Sequence, residues 1–132
     1  MIVDFNALSP LQAYHLMTQS IVPRPIAWVL TENEPGESYA PYNLAPFSYF
    51  NSVASDPPML MFSIGIKPDG SHKDTLLNLQ RSEKLVIHIA SSEHIEALNQ
   101  SAASLPYGES ELTPSALQTE EFEGFPLPRL KD

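Results

Sequence analysis

The stretch "SYAPYNLAPFSYFNSV", residues 38–53, has the aromatic and β-branched content of a strand but carries Pro41 and Pro46. Proline cannot donate to a β-ladder, so this segment is expected to run along a sheet edge or to bulge outward. An edge of that kind leaves backbone groups free to meet a ligand. Upstream lies "VPRPIAWVLT" (residues 22–31), where Pro23 and Pro25 exclude a helix and lead into a second β-rich run. The acidic Pro-Gly turn "ENEPGE" joins the two, which predicts a hairpin with Ile26, Trp28 and Leu30 on one face and Ala27, Val29 and Thr31 on the other.

Outward from this hairpin the pattern continues in short elements. "LSPLQAYHLMTQ" predicts a helix with Ser9 as N-cap, Pro10 at the first position and Gln12 closing a capping box; Leu11, Tyr14 and Met17 share a face expected to be core. Further on, "SDPP" reads as a turn, "MLMFSIG" as a buried strand and "KDTLLNLQRS" as a helix with Leu76, Leu77 and Leu79 inward. "KLVIHIA" reads as another strand, and "SEHIEALNQSA" as a helix presenting Ile95, Leu98 and Ala102. The order α-β-β-β-α-β-α suits a small antiparallel barrel or α+β domain rather than a doubly wound sheet. The whole of residues 1–132 reads as a single domain with its core at about residues 16–112, followed by an irregular acidic tail at 113–132 without further strands.

Composition narrows the function. The net charge is −9, with 16 acids against 7 Lys+Arg, which opposes nucleic-acid binding. Residues 93–132 hold eight of the acids and only two of the cations. There is no cysteine, hence no thiolate nucleophile and no Cys-based metal site, and the four histidines lack ligand spacing. No apolar run is long enough to cross a bilayer, and the N-terminus lacks a signal-peptide layout, so a soluble cytoplasmic protein is expected. The sequence contains no G-x-S-x-G, P-loop or G-x-G-x-x-G, and no nucleophile–base–orienter set is apparent, so any redox or group-transfer chemistry is expected to come from a bound cofactor.

Three constellations could hold one. In "DGSHKDTLLNLQ" (residues 69–80), Ser71 and Asp74 make a capping-box-like start, placing Lys73 in a first turn whose free N–H groups favour anions. A phosphate docked there would turn Lys73 into a counter-charge, with Ser71 and Thr75 as hydroxyl donors and Gly70 allowing the loop to turn; a solvated lysine paired with Asp74 is the equal alternative. On the proline-broken edge, Asn43 and Ser48 offer polar contacts and Ala45 leaves room for a flat ligand, although Phe47, Tyr49 and Phe50 also read as ordinary core aromatics. Arg24, fixed between two prolines, could reach an anion such as a dinucleotide phosphate or could be a solvated loop residue. His88, mid-strand among apolar residues, reads as a hydrogen-bonded core histidine.

In their order and spacing, "VPRPIAWVLT", "NLAPFSYFNSVASDPPMLMFSI", "KDTLLNL" and "LVIHIA" resemble the flavin reductase-like family of FMN-binding split barrels over residues 16–112. The resemblance implies a mainly β Greek-key split barrel with short helices, usually a homodimer, that binds FMN, or FAD in some members, near the subunit interface. Family members include NAD(P)H-dependent flavin reductases that feed monooxygenases, ferric reductases and flavoredoxin-type carriers. By position, Asn43, Leu44, Ala45, Pro46, Phe47 and Ser48 would line the flavin ring and ribityl chain, Ser63, Ile64 and Gly65 would lie on the neighbouring strand, and Lys73, Asp74 and Thr75 would form the phosphate end. Hydride passes from nicotinamide to flavin by stacking in this family, so no side-chain acid or base is obligatory. The family continues past the equivalent of "FPLPRLKD" with strands that finish the barrel and contribute to the dimer, so a barrel incomplete at its C-terminus is expected. The competing expectations are a flavin-binding electron carrier without NAD(P)H turnover and a non-catalytic domain.

Overall fold

A computed structural model describes residues 2–131. After a short 3₁₀ turn at Phe5–Ala7, the elements are α1 (Pro10–Ser20), β1 (Ala27–Glu32), β2 (Tyr42–Phe47), β3 (Phe50–Ser55) and β4 (Pro58–Phe62). They are followed by α2 (Asp74–Ser82), β5 (Val86–His88), α3 (Ile95–Gln100), β6 (Thr119–Glu120) and β7 (Arg129–Leu130). The strands form a three-stranded sheet in the order β2-β1-β5 and two hairpins, β3-β4 and β6-β7.

β1 is the centre of the molecule because both of its faces are apolar enough to bury. It pairs antiparallel with β2, Ala27 opposite Phe47 through Glu32 opposite Tyr42, and with β5 on its other side. Trp28 and Leu30 pack with Leu44, Val86, Leu127 and Leu130 on one face, while Ala27 and Val29 pack with Phe47 on the other. Full burial of side chains of this size contributes about 1.5–3 kcal/mol each, which makes this two-sided strand the main apolar anchor. The indole N–H of Trp28 donates to Ser101 Oγ at 2.8 Å, so the largest core residue carries no unmet donor.

The proline-broken segment is an edge, as its sequence requires, but it is two strands rather than one. β2 ends at Phe47, the chain bends at Ser48 and Tyr49, and β3 leaves as half of a separate hairpin. On β2 the Leu44 N–H points away from β1, towards Glu111. Pro46 lies two residues further along the same strand and so faces outward too; its missing N–H costs the ladder nothing.

Several expectations about burial are corrected. Leu11, Tyr14 and Met17 of α1 are exposed, and Met59, Leu60 and Met61 of β4 are each about half exposed (45%, 58% and 57%). Apolar composition marks these faces for burial, but the described part of the chain covers them only in part, as where Tyr49 meets the Tyr14 ring. α2 turns Asp74, Thr75 and Asn78 inward and leaves its leucines half-buried. The polar face meets polar partners: Asn78 Nδ2 donates to Thr31 Oγ1 at 3.0 Å and to Asn33 Oδ1 at 2.8 Å, while Asn78 Oδ1 is buried without a partner. In α3 the packed residues are Ala97 and Leu98, and Ile95 is exposed.

The tail is also tied in. Thr119 pairs with Leu130 and Glu120 with Arg129, and Leu127 and Leu130 are buried. His88 holds this end as a core histidine: its Nε2 accepts from Leu130 N at 2.9 Å, which fixes Nδ1 as the protonated nitrogen that donates to Trp28 O at 3.1 Å.

Candidate functional site

Two hollows meet along the outer edge of β2. One is a cavity of about 140 Å³ lined by Asn43, Ala45, Pro46, Lys67, Lys73, Asp74, Thr75, residues 101–105 and Glu111. The other is wider, about 310 Å³, and is lined by Tyr14, Pro46, Phe47, Ser48, Tyr49, Ser63, Gly65 and Lys73. Pro46 and Lys73 belong to both, so the polar hollow and the aromatic one are ends of a single groove.

The polar end is built by the start of α2. Lys73 is the N-cap rather than a first-turn residue: its backbone is extended (φ −72°, ψ 147°) and its carbonyl accepts from Leu76 N at 2.9 Å. The N–H groups of Asp74 and Thr75 find no acceptor among the described residues, as expected for the opening of a helix. Asn43 Nδ2 donates to Thr75 Oγ1 at 3.0 Å, so the edge strand and the helix start are locked side by side.

Asp74 is not the partner of Lys73. Its Oδ1 accepts from Lys67 Nζ at 2.7 Å and its Oδ2 accepts from the Gly108 N–H at 3.1 Å. The reading of Lys73 as a lysine paired locally with Asp74 therefore fails. The ammonium of Lys73 instead lies 5.6 Å from the centre of the Phe47 ring, a cation–π distance, at the junction of the two hollows.

The remaining sequence candidates divide. Ser63 donates its N–H to Tyr49 O at 2.9 Å just beyond β4, which brings Ser63 and Gly65 against Ser48. Ile64 packs into the core and Leu44 lies beneath the edge. Ser71 is not the helix cap; its N–H and hydroxyl both donate to Asp69 Oδ1, at 2.9 and 2.7 Å, and those two bonds hold the Asp69 carboxyl below its ordinary pKa. Ser71 faces a different depression, beside Pro106 and Tyr107. Arg24 is engaged elsewhere as well: it donates to Thr18 O at 2.6 Å and Ile21 O at 2.7 Å, stacking at 5.8 Å on Tyr49. Its charge sits at the C-terminal end of α1, where the helix dipole favours a cation.

Three features were not visible in the sequence: Lys67, Glu111 and the small-residue wall at 101–105. Their roles depend largely on contacts distant in sequence, across 34 positions between Asp74 and Gly108, 38 between Lys67 and Leu105 and 67 between Leu44 and Glu111. The Glu111 carboxyl is buried, and that burial pushes its pKa up despite the Leu44 N–H it accepts at 3.1 Å. Among the described residues no group of three or more His, Cys, Asp or Glu could hold a metal ion, and no helix is long and apolar enough to cross a membrane.

The model of the flavin reductase-like domain matches residues 18–132, most of the chain. The chain belongs to that family. As a flavin reductase-like domain it is 37% identical to the uncharacterized protein YwrF of Bacillus subtilis over 131 residues, 99% of this chain and 62% of YwrF. Among solved structures it resembles nitrilotriacetate monooxygenase component B from Bacillus cereus, with a TM-score of 0.87 and 36% identity over 99% of this chain and 62% of that one. It also resembles the 2-nitrobenzoate 2-nitroreductase NbaA of Pseudomonas fluorescens, with a TM-score of 0.83 and 28% identity over 100% of this chain and 60% of the other. The split-barrel fold class is thereby shown. The flavin reductase-like chain spans about three fifths of the length of these relatives.

Proposed function

We propose that the chain binds FMN along the outer edge of β2 and acts as an oxidoreductase of the flavin reductase type, taking hydride from NAD(P)H. The observation that carries this is the two-ended groove. Its aromatic end, with Tyr14, Phe47 and Tyr49 around Pro46, suits a flat ring, and its polar end, at the start of α2, suits a hydroxylated chain and a phosphate.

The residues present fit such a ligand. The Ala45 and Pro46 side chains are small or flat, so a ring can approach the β2 backbone closely, and the outward carbonyls of Leu44 and Pro46 offer acceptors to its polar rim. The Thr75 hydroxyl, already accepting from Asn43, keeps its proton to donate, and Lys73 supplies a counter-charge without an acid to neutralise it among the described residues. Ser48, Ser63 and Gly65 would border the ring, with Ile64 packed into the core on the Phe47 side and Leu44 on the opposite face of the sheet. Bound there, the flavin would supply the two-electron chemistry; the chain's part is to bind it, orient it and exclude water from one ring face.

The exposed apolar faces of α1 and β4 support a homodimer, and the likeness to a monooxygenase component supports an oxygenase that consumes the reduced flavin. The test is an anaerobic titration of the FMN-loaded protein with NADH and with NADPH. Bleaching of the flavin by either is expected. Bound flavin that stays oxidised with both would replace this reading with that of an electron carrier, and failure to bind FMN would reject both.

A further inference from the structure

The wall of the polar cavity is made of chain that has no regular structure of its own. Residues 101–111 are turns and irregular backbone, yet they supply five neighbouring cavity-lining residues and the buried Glu111. Such a segment stays in place only through specific bonds to the elements it crosses.

Trp28 holds the start of the segment through Ser101 and Leu44 holds its end through Glu111; the bonds to its middle meet at Asp74. Both of its oxygens are engaged, Oδ1 by Lys67 Nζ at 2.7 Å and Oδ2 by Gly108 N at 3.1 Å, and its side chain is only 7% exposed. Lys67 reaches past it to Leu105 O at 3.4 Å. Gly108 O accepts from Ala40 N at 2.8 Å, and Glu111 accepts from Leu44 N at 3.1 Å. One carboxylate therefore joins the loop before α2, the start of α2 and the middle of the segment.

We propose that Asp74 is a positioning residue: although it lines the cavity, both of its oxygens are taken by protein donors, and together with Lys67 it clasps residues 101–111 against the outer edge of β2 and so sets the cavity wall. The ligand's identity rests on the FMN reading above, but the clasp does not. Removing either partner leaves the other charge shielded from solvent without its counter-charge, so the pair acts as a unit.

Hydrogen exchange and FMN binding, measured on the whole chain for the wild type, Asp74→Asn, Lys67→Met and the double variant, test this. Without flavin, exchange at the Gly108 and Leu44 amides is expected to quicken about tenfold or more in each single variant, while the central β1 amide of Val29 keeps its protection. FMN affinity is expected to fall about tenfold in each single variant, and no further in the double. Unchanged exchange at Gly108 would overturn the clasp; so would equal acceleration at Val29, which marks general destabilisation, or fully additive losses of affinity. If exchange responds as stated but no form binds FMN, the clasp stands and the flavin reading fails.

Discussion

Asn43 on β2 and Thr75 on α2 are joined by a buried 3.0 Å hydrogen bond, so the groove's edge and its polar end move together. Thr75→Val removes the acceptor and strands a buried amide donor. The expected cost is about 1–3 kcal/mol of unfolding free energy, with Thr75→Ser recovering most of it. Urea denaturation of the two variants checks this; equal stability of the valine and serine variants would contradict it.

Lys73 has no carboxylate partner among the described residues and stands where both hollows meet. Lys73→Ala should weaken FMN binding by about 1.5–3 kcal/mol while leaving riboflavin binding nearly unchanged, since only FMN carries the phosphate. Fluorescence titrations with the two flavins provide the comparison, and an equal loss for both would remove the phosphate role.

Glu111 gives a pH signature with a definite sign. Its folded pKa is raised by burial above the ordinary 4.5, so between those two values the folded state binds the proton more tightly than the unfolded chain does. Its favourable contribution is full below 4.5 and is lost as pH rises through the folded value. Glu111→Gln keeps an acceptor for Leu44 N but cannot titrate. Relative to wild type, the variant should therefore gain stability as pH climbs above 4.5; a stability difference independent of pH would show that the burial does not matter.

Gly108 occupies a left-handed conformation (φ +81°), and a Cβ there would collide with the Tyr39 ring. Gly108→Ala should cost about 2–4 kcal/mol from strain and overpacking together. It should also loosen the contact between the Tyr39 and Tyr107 rings, now 5.3 Å apart. Thermal unfolding and near-ultraviolet dichroism report the two effects; an unchanged midpoint would show that the loop absorbs the methyl group.

What could be read from the sequence follows the range of the interactions involved. The β1–β2 hairpin was legible because prolines and alternating apolar residues act locally, and Pro46 marked the outward edge correctly. The break at Ser48 and Tyr49 was not, since Phe50 to Val53 continue the same strand-like composition. Leucines outweigh polar residues in any local reading of α2, yet Thr31, Asn33 and Asn43, distant in sequence, make its polar face the inner one. Lys73 was recognised as out of place, but only the fold shows that Asp74 belongs to Lys67 and that the lysine is left for something else. Beyond the end of α3 the wall carries no local signal, because its position is set by bonds to Trp28, Asp74 and Leu44.

The central claim, a flavin held along the edge of β2, is tested most directly by titrating FMN fluorescence with the purified chain. Saturable quenching, with a protein-bound flavin absorbance spectrum, is the predicted result. A colourless protein that leaves FMN fluorescence unchanged would contradict it.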